Sequence, residues 1–108
     1  MAAYKHKLPL KLDCPAEKAL AVLSGKWKLA ILGQLLKTNL RLTDIQKGLP
    51  EASRRALTKQ LAEMQEDGIV QKEDFQEFPK RTEYSLTPLG RAFQPVFQAL
   101  FDYGIKLP

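Results

Sequence analysis

The sequence predicts a mainly α-helical domain with one small β-hairpin, and three observations lead there. Residues 43–64, TDIQKGLPEASRRALTKQLAEM, read as two short helices joined by a tight turn. Residues 69–86 hold two alternating segments separated by a proline-containing break. Both flanks carry apolar residues at helical spacing.

Taken in chain order, residues 1–12 read as an arm ahead of a single domain spanning 13–108. Lys5, His6, Lys7 and Lys11 suit that arm to phosphates or to plain solvation. Pro15 fits a first helical turn, where a missing N–H is no loss. A helix is expected over residues 15–23, with Ala19, Leu20 and Leu23 inward, ended by Ser24-Gly25. Lys26-Trp27-Lys28 opens a second helix, with Trp27, Ala30, Ile31, Leu32 and Leu35 toward the core. Lys26 and Lys28 are expected in solvent or near a phosphate backbone.

Residues 40–42 make a short extended segment, and Thr43 caps a third helix running to about Leu49. Pro50 helps to stop it, because proline has no N–H to donate. Ser53 is a good N-cap for the fourth helix. There Leu57, Leu61 and Met64 stand at i, i+4 and i+7 on one face, while Arg55, Thr58, Lys59 and Ala62 fall on the other. Asp67-Gly68 ends it, since glycine tolerates the left-handed conformation at which many helices stop.

Residues 69–75 and 81–86 alternate and form a hairpin around a turn at 76–80, with Thr82, Tyr84 and Leu86 on one side. Thr87-Pro88 opens a last helix bearing Leu89, Phe93, Val96, Phe97, Leu100 and Phe101. Pro95 is expected to kink it. So broad an apolar stripe needs cover, from its own core or from a second copy in a symmetric dimer. The resulting order is that of a winged helix-turn-helix with an extra helix at each end.

Composition limits the function classes. The chain has 108 residues, 44% of them hydrophobic, with a net charge of +5 and a pI near 9.4. A basic balance favours phosphate-bearing partners. The cations gather in residues 1–28 and 41–59, whereas Glu63, Glu66, Asp67, Glu73, Asp74 and Glu77 make residues 60–78 acidic. One cysteine allows no intrachain disulfide, and one histidine beside it leaves too few soft ligands for a zinc site. No glycine-rich phosphate loop and no nucleophile–base pair emerges, so no enzyme, metal or cofactor is expected. Without a signal-like N-terminus or a membrane-length apolar run, the expectation is a cytoplasmic protein, near the nucleoid if it binds DNA.

The residues also resemble a known family. Cys14-Pro15, Gly25-Lys26-Trp27-Lys28 with Ile31-Leu32, Arg41-Leu42 and Leu49-Pro50 with Ser53 match it. So do Leu57-Thr58 with Leu61, Asp67-Gly68-Ile69-Val70, Glu83-Tyr84-Ser85-Leu86-Thr87 with Gly90, and Pro95-Val96 with Tyr103-Gly104. In this set, spread over residues 14–104, the chain resembles the HxlR-type transcriptional regulators, which are related to the MarR group. The resemblance implies a homodimer joined through its terminal helices, usually a repressor, with the second helix of the pair in a major groove and the wing beside the backbone or minor groove. Some members respond to electrophiles or oxidants through a cysteine at the position of Cys14. Two departures stand out. Glu51-Ala52 replaces the glycine usual after Leu-Pro, and the wing is unusually acidic.

Double-stranded DNA is therefore the expected partner, and particular side chains carry the contact. Arg55 is the strongest base reader, since arginine presents two donors to the O6 and N7 acceptors of guanine. Thr58 suits a thymine methyl or a phosphate, and Lys59 a phosphate. Ser53 and Arg54, at the start of that helix, belong to the expected DNA-contacting set, with Arg54 reaching backbone or base; Lys80 and Arg81 are the wing candidates, and Arg41 pins the backbone or the wing base. A solvated charge is the plainer reading of each cation. Cys14 reads either as a small buried hydrophobe or as a redox sensor. A helix N-terminus with Lys11 and Lys18 nearby favours the reactive thiolate, and Asp13 opposes it. The alternatives are a winged helix that docks an acidic protein, and a small-ligand sensor whose pocket is lined by Trp27, Phe93, Phe97 and Tyr103.

Overall fold

The computed structural model describes residues 14–108, so the proposed arm at 1–12 lies outside the described residues. The elements are α1 (Pro15–Val22), α2 (Lys28–Leu35), α3 (Leu42–Gly48), α4 (Arg54–Glu66), β1 (Val70–Phe75), β2 (Arg81–Leu86), α5 (Pro88–Arg91) and α6 (Gln94–Ile105). β1 and β2 pair antiparallel, from Val70 opposite Leu86 to Phe75 opposite Arg81. Among the described residues, no helix is long and apolar enough to cross a membrane.

The core forms where α2, α3, α4 and the base of the hairpin meet. Ile31, Leu32, Leu35, Ile45, Leu57 and Leu61 are fully buried there, joined by Ala52, Met64, Val70, Tyr84 and Leu86. The α4 stripe is the one its spacing predicts. Ser53 caps α4 by accepting the N–H of Ala56 at 3.0 Å. At the other end Gly68 takes φ +76°, with Gly68 N–H bonding to Gln65 O and Ile69 N–H to Met64 O at 2.9 Å. These paired bonds satisfy carbonyls that the last turn of a helix leaves free.

Several details differ from the sequence expectation. Arg41, not Thr43, is the N-cap of α3, and its N–H donates to the Asp44 carboxylate at 3.3 Å. Residue 40 makes only an isolated bridge, Leu40 with Tyr84, so the extended segment shrinks to one residue that ties the α2–α3 link to the wing. Ala19 and Leu20 are exposed rather than inward, and Ala21 is the buried residue of α1. Ala30 is exposed too. The last helix is not one kinked rod. Ala92-Phe93 breaks it into α5 and α6, and Pro95 stands in the first turn of α6, where no helical partner for its nitrogen is required.

The largest correction concerns Lys28. Its side chain is fully buried, one turn before Ile31 and Leu32, and its ammonium meets the Glu63 carboxylate of α4 at 2.9 Å. Helical spacing puts Lys28 on the core face of α2, and pairing with Glu63 makes its burial tolerable. One turn back on α4, Gln60 Oε1 accepts the Trp27 N–H at 2.8 Å, capping α2 from outside. Gly25 completes the arrangement, because a Cβ there would stand 2.9 Å from Lys28 Cδ.

Lys28→Met should destabilise the fold by about 2–3 kcal/mol, because Glu63 loses its partner while only partly able to regain water. The double variant with Glu63→Leu should return to within about 1 kcal/mol of the parent. Urea denaturation of both proteins checks this.

Candidate nucleic-acid interface

Because α4 buries Leu57, Leu61 and Met64, its other side must face out. Arg54, Arg55, Thr58 and Lys59 are exposed and together form one surface concavity over the N-terminal half of the helix. Two features set its entry. Ala52 is buried, its N–H bonding to Leu49 O and its carbonyl accepting from Gln46 Nε2 at 3.1 Å. Among the described residues no side chain other than glycine has positive φ, so Glu51-Ala52 makes the α3–α4 turn without needing a glycine. Glu51 points its charge into solvent. Thr58 donates its hydroxyl to Arg54 O at 2.8 Å.

A second concavity, of about 370 Å³, opens between α4, the start of α3 and the wing. Arg54 and Thr58 line it from α4, Arg41 from the α3 cap, and Lys72, Lys80 and Arg81 from the hairpin. None of the side chains lining it is acidic. Four of the sequence-derived cations thus share one cleft, Arg41, Arg54, Lys80 and Arg81, while Arg55 and Lys59 lie on the adjoining α4 surface. Lys72 joins them although the sequence reading passed it over. Its signal was strand alternation: Lys72 falls on the same side as buried Val70, the side turned toward the helices.

The two wing candidates are not equivalent. Lys80 is exposed. Arg81 is engaged within the hairpin: its guanidinium lies 3.1 Å from Glu77, 3.6 Å from Glu83 and 4.3 Å from the Phe75 ring centroid. Glu73 faces Glu83 across the strands, a like-charge pairing that weakens a hairpin, so the Arg81 charge beside Glu83 serves the wing itself. Thr82 adds a bond to the Asp74 carboxylate.

Cys14 lies apart from this cleft, half-buried at the N-cap of α1, with its carbonyl accepting the Lys18 N–H. A mainly apolar groove of about 310 Å³ runs nearby between α1 and the α5–α6 region, lined by Ala19, Val22, Leu23, Leu89, Phe93 and Val96. Another, of about 470 Å³, includes Gly33, Leu40, Phe97 and Phe101. The aromatic set offered as one ligand pocket is thereby divided, with Phe93 in the first groove, Phe97 in the second, and Trp27 and Tyr103 in neither.

Comparison with known proteins is consistent with this geometry. The model of the HxlR-like helix-turn-helix family matches residues 22–107. The chain belongs to that family. It is a DNA-binding transcriptional regulator of the winged helix-turn-helix type. One relative, the HTH-type transcriptional regulator YdeP of Bacillus subtilis (strain 168), is 38% identical over 93 residues, 86% of this chain and 73% of YdeP. Among solved structures, the redox regulator HypR in its reduced form superposes with a TM-score of 0.80 at 34% identity, covering 84% of this chain and 90% of HypR. Diamide-treated YodB from B. subtilis gives 0.75 at 28% identity, covering 90% of this chain and 97% of YodB.

Proposed function

We propose that this HxlR-type regulator acts as a cytoplasmic, nucleoid-associated homodimer that represses transcription by binding a two-fold related DNA site. The observation that carries the reading is the continuous cationic surface of α4 and the wing cleft, backed by an apolar core that fixes α4 from behind. Phosphate contacts position such a protein and base contacts specify its site. We assign Arg41, Arg54, Lys59, Lys72 and Lys80 to phosphates, and Arg55 to a guanine edge. Thr58, whose hydroxyl is already bonded to its own helix, offers its methyl to a thymine. Ser53 aligns the first turn of α4, and Arg81 braces the wing.

The dimer rests on what the terminal helices leave uncovered. No residue of α6 is buried, and Val96, Leu100, Phe101, Tyr103 and Ile105 are all exposed there, as is Leu20 on α1. Contiguous apolar surface of this kind marks an interface, and a second copy with the same surface covers it symmetrically.

A thiol response is the further part of the reading. Cys14 stands half-buried at the N-cap of α1, one helical turn before Lys18 and Ala19 of the apolar groove, and the fold is similar to those of HypR, a redox regulator, and of YodB crystallised after diamide treatment. With one cysteine in these 108 residues, a disulfide formed by the chain alone has to join two copies.

Selection of bound sequences from random duplex DNA at two salt concentrations tests the DNA reading. A two-fold motif with half-sites about one helical turn apart is expected. Arg55→Ala should lose discrimination at one base position, by about 1–3 kcal/mol. No binding at low salt would move the assignment to an acidic protein partner. For the dimer, the double variant Phe101→Asp, Ile105→Asp should sediment as a folded monomer and lose most operator affinity; a parent protein that is itself monomeric would sink this part. For the thiol, diamide should shift the operator affinity of the parent and yield a reducible cross-linked pair on a gel, and Cys14→Ser should show neither.

A further inference from the structure

The hairpin carries one feature that the cationic cleft does not use. Phe78, in the turn between β1 and β2, is 100% exposed, and Pro79 follows it. A single exposed apolar side chain is ordinary in itself. The setting of this one is not. Lys80 and Arg81, next along the chain, line the same cleft as Arg54 of α4. The tip that bears Phe78 is therefore continuous with the surface assigned to the DNA backbone.

Charge decides what such a tip can do there. The hairpin, residues 70–86, holds Glu73, Asp74, Glu77 and Glu83 against Lys72, Lys80 and Arg81, so four carboxylates against three cations leave it at −1. Its one arginine is held by Glu77 and Glu83 and stacked on Phe75. At the tip the charge of Glu77 is thus met by Arg81, and what projects beyond them is a phenyl ring. Lys72 and Lys80 face the cleft, and beyond them the tip, residues 76–79, has no cation with which to grip a phosphate. An apolar ring has a different use in a minor groove: it enters between base steps, partly unstacks them and bends the duplex. The cost is least at flexible pyrimidine–purine steps, so a wedge of this type selects sequence without hydrogen-bonding to any base.

We infer that Phe78 is a minor-groove wedge that reads the deformability of the steps flanking the sequence that α4 reads. The inference rests on the DNA-binding reading above, with α4 in a major groove and the backbone in the cleft.

The test uses the full chain and the duplex enriched by random selection, with 2-aminopurine placed at the flanking steps. Phe78→Ala should keep the parent melting temperature, because the ring is fully exposed. It should lower affinity on the order of tenfold, as loss of an aromatic–base stacking contact does. The slope of affinity against salt should stay unchanged, since no charge is removed, whereas Lys80→Ala should reduce it by about 0.9. The parent should raise 2-aminopurine fluorescence and Phe78→Ala should not, and base preference at the flanks should flatten only in Phe78→Ala. Parent-like affinity, flank preference and fluorescence in Phe78→Ala would overturn the wedge. So would intact DNA behaviour with loss of a protein partner, which would make the tip a docking knob. If the parent selects no sequence at all, the DNA-binding reading beneath the wedge fails instead, and Arg55→Ala then shows no effect either.

Discussion

Placement of α4 depends on a buried ion pair between the helices. A helix packed only through Leu57, Leu61 and Met64 is held by contacts that are strong but weakly directional, and leucine surfaces tolerate small slides and rolls. Lys28 and Glu63 do not tolerate them. An ammonium removed entirely from water needs its carboxylate at contact distance, and here that distance is 2.9 Å. The Gln60–Trp27 bond adds a second fixed point one turn away. Two polar contacts on successive turns define both the rotation and the axial position of α4 on α2. Arg55 and Lys59 share α4 with them, so the same contacts fix where those cations stand. Such a pair need not add net stability, because desolvation of both groups offsets much of their attraction. Its contribution lies in geometry.

Most of the α4 surface was legible in the sequence, and Lys28 was not, for one reason. A 3.6-residue period assigns faces correctly whatever the residue types are. On α4 the apolar and cationic residues separate cleanly by face, so period and chemistry agree. On α2 they disagree. Period places Lys28 with Ile31, Leu32 and Leu35, while its charge argues for solvent. The charge won in the reading because its partner Glu63 lies 35 positions along the chain, and no local pattern links two such residues. The acidic character of residues 60–78 likewise read as a general sign reversal, although Glu63 and Glu77 each serve an identified cation.

The ends of the fold were misread for related reasons. Pro95 breaks a continuous apolar period in sequence, and a kink is the expected result when a helix runs through proline. The chain instead stops at Ala92-Phe93 and restarts, which lets proline occupy a turn that has no use for its N–H. Phe97 then reaches α2 closely enough that a Cβ on Gly33 would stand 2.8 Å from its ring, while the far face of α6 stays uncovered. Helical spacing points Ala19 and Leu20 inward only if the apolar residues of a short helix serve the core of their own chain, and both are exposed. In a family whose proposed unit is a dimer, that assumption fails wherever two copies meet, and sequence alone does not distinguish the two kinds of burial.

Rigid attachment of α4 to α2 also limits how the proposed thiol signal at α1 would reach DNA. The exposed face of α6 is the surface proposed for a partner copy and Cys14 stands at the N-cap of α1, whereas Arg55 and Lys59 stand on a helix packed against α2. Rotating α4 within its own chain would break both the Lys28–Glu63 pair and the Gln60–Trp27 bond, a change too costly for a modest chemical input. Moving one whole copy relative to the other breaks no such pair. In the proposed dimer it changes the separation and angle of two α4 helices that have to meet half-sites about one helical turn apart. A small rotation at the proposed dimer surface is multiplied by the distance to each α4, so in that assembly the sensitive variable is the spacing between copies rather than the shape of either one.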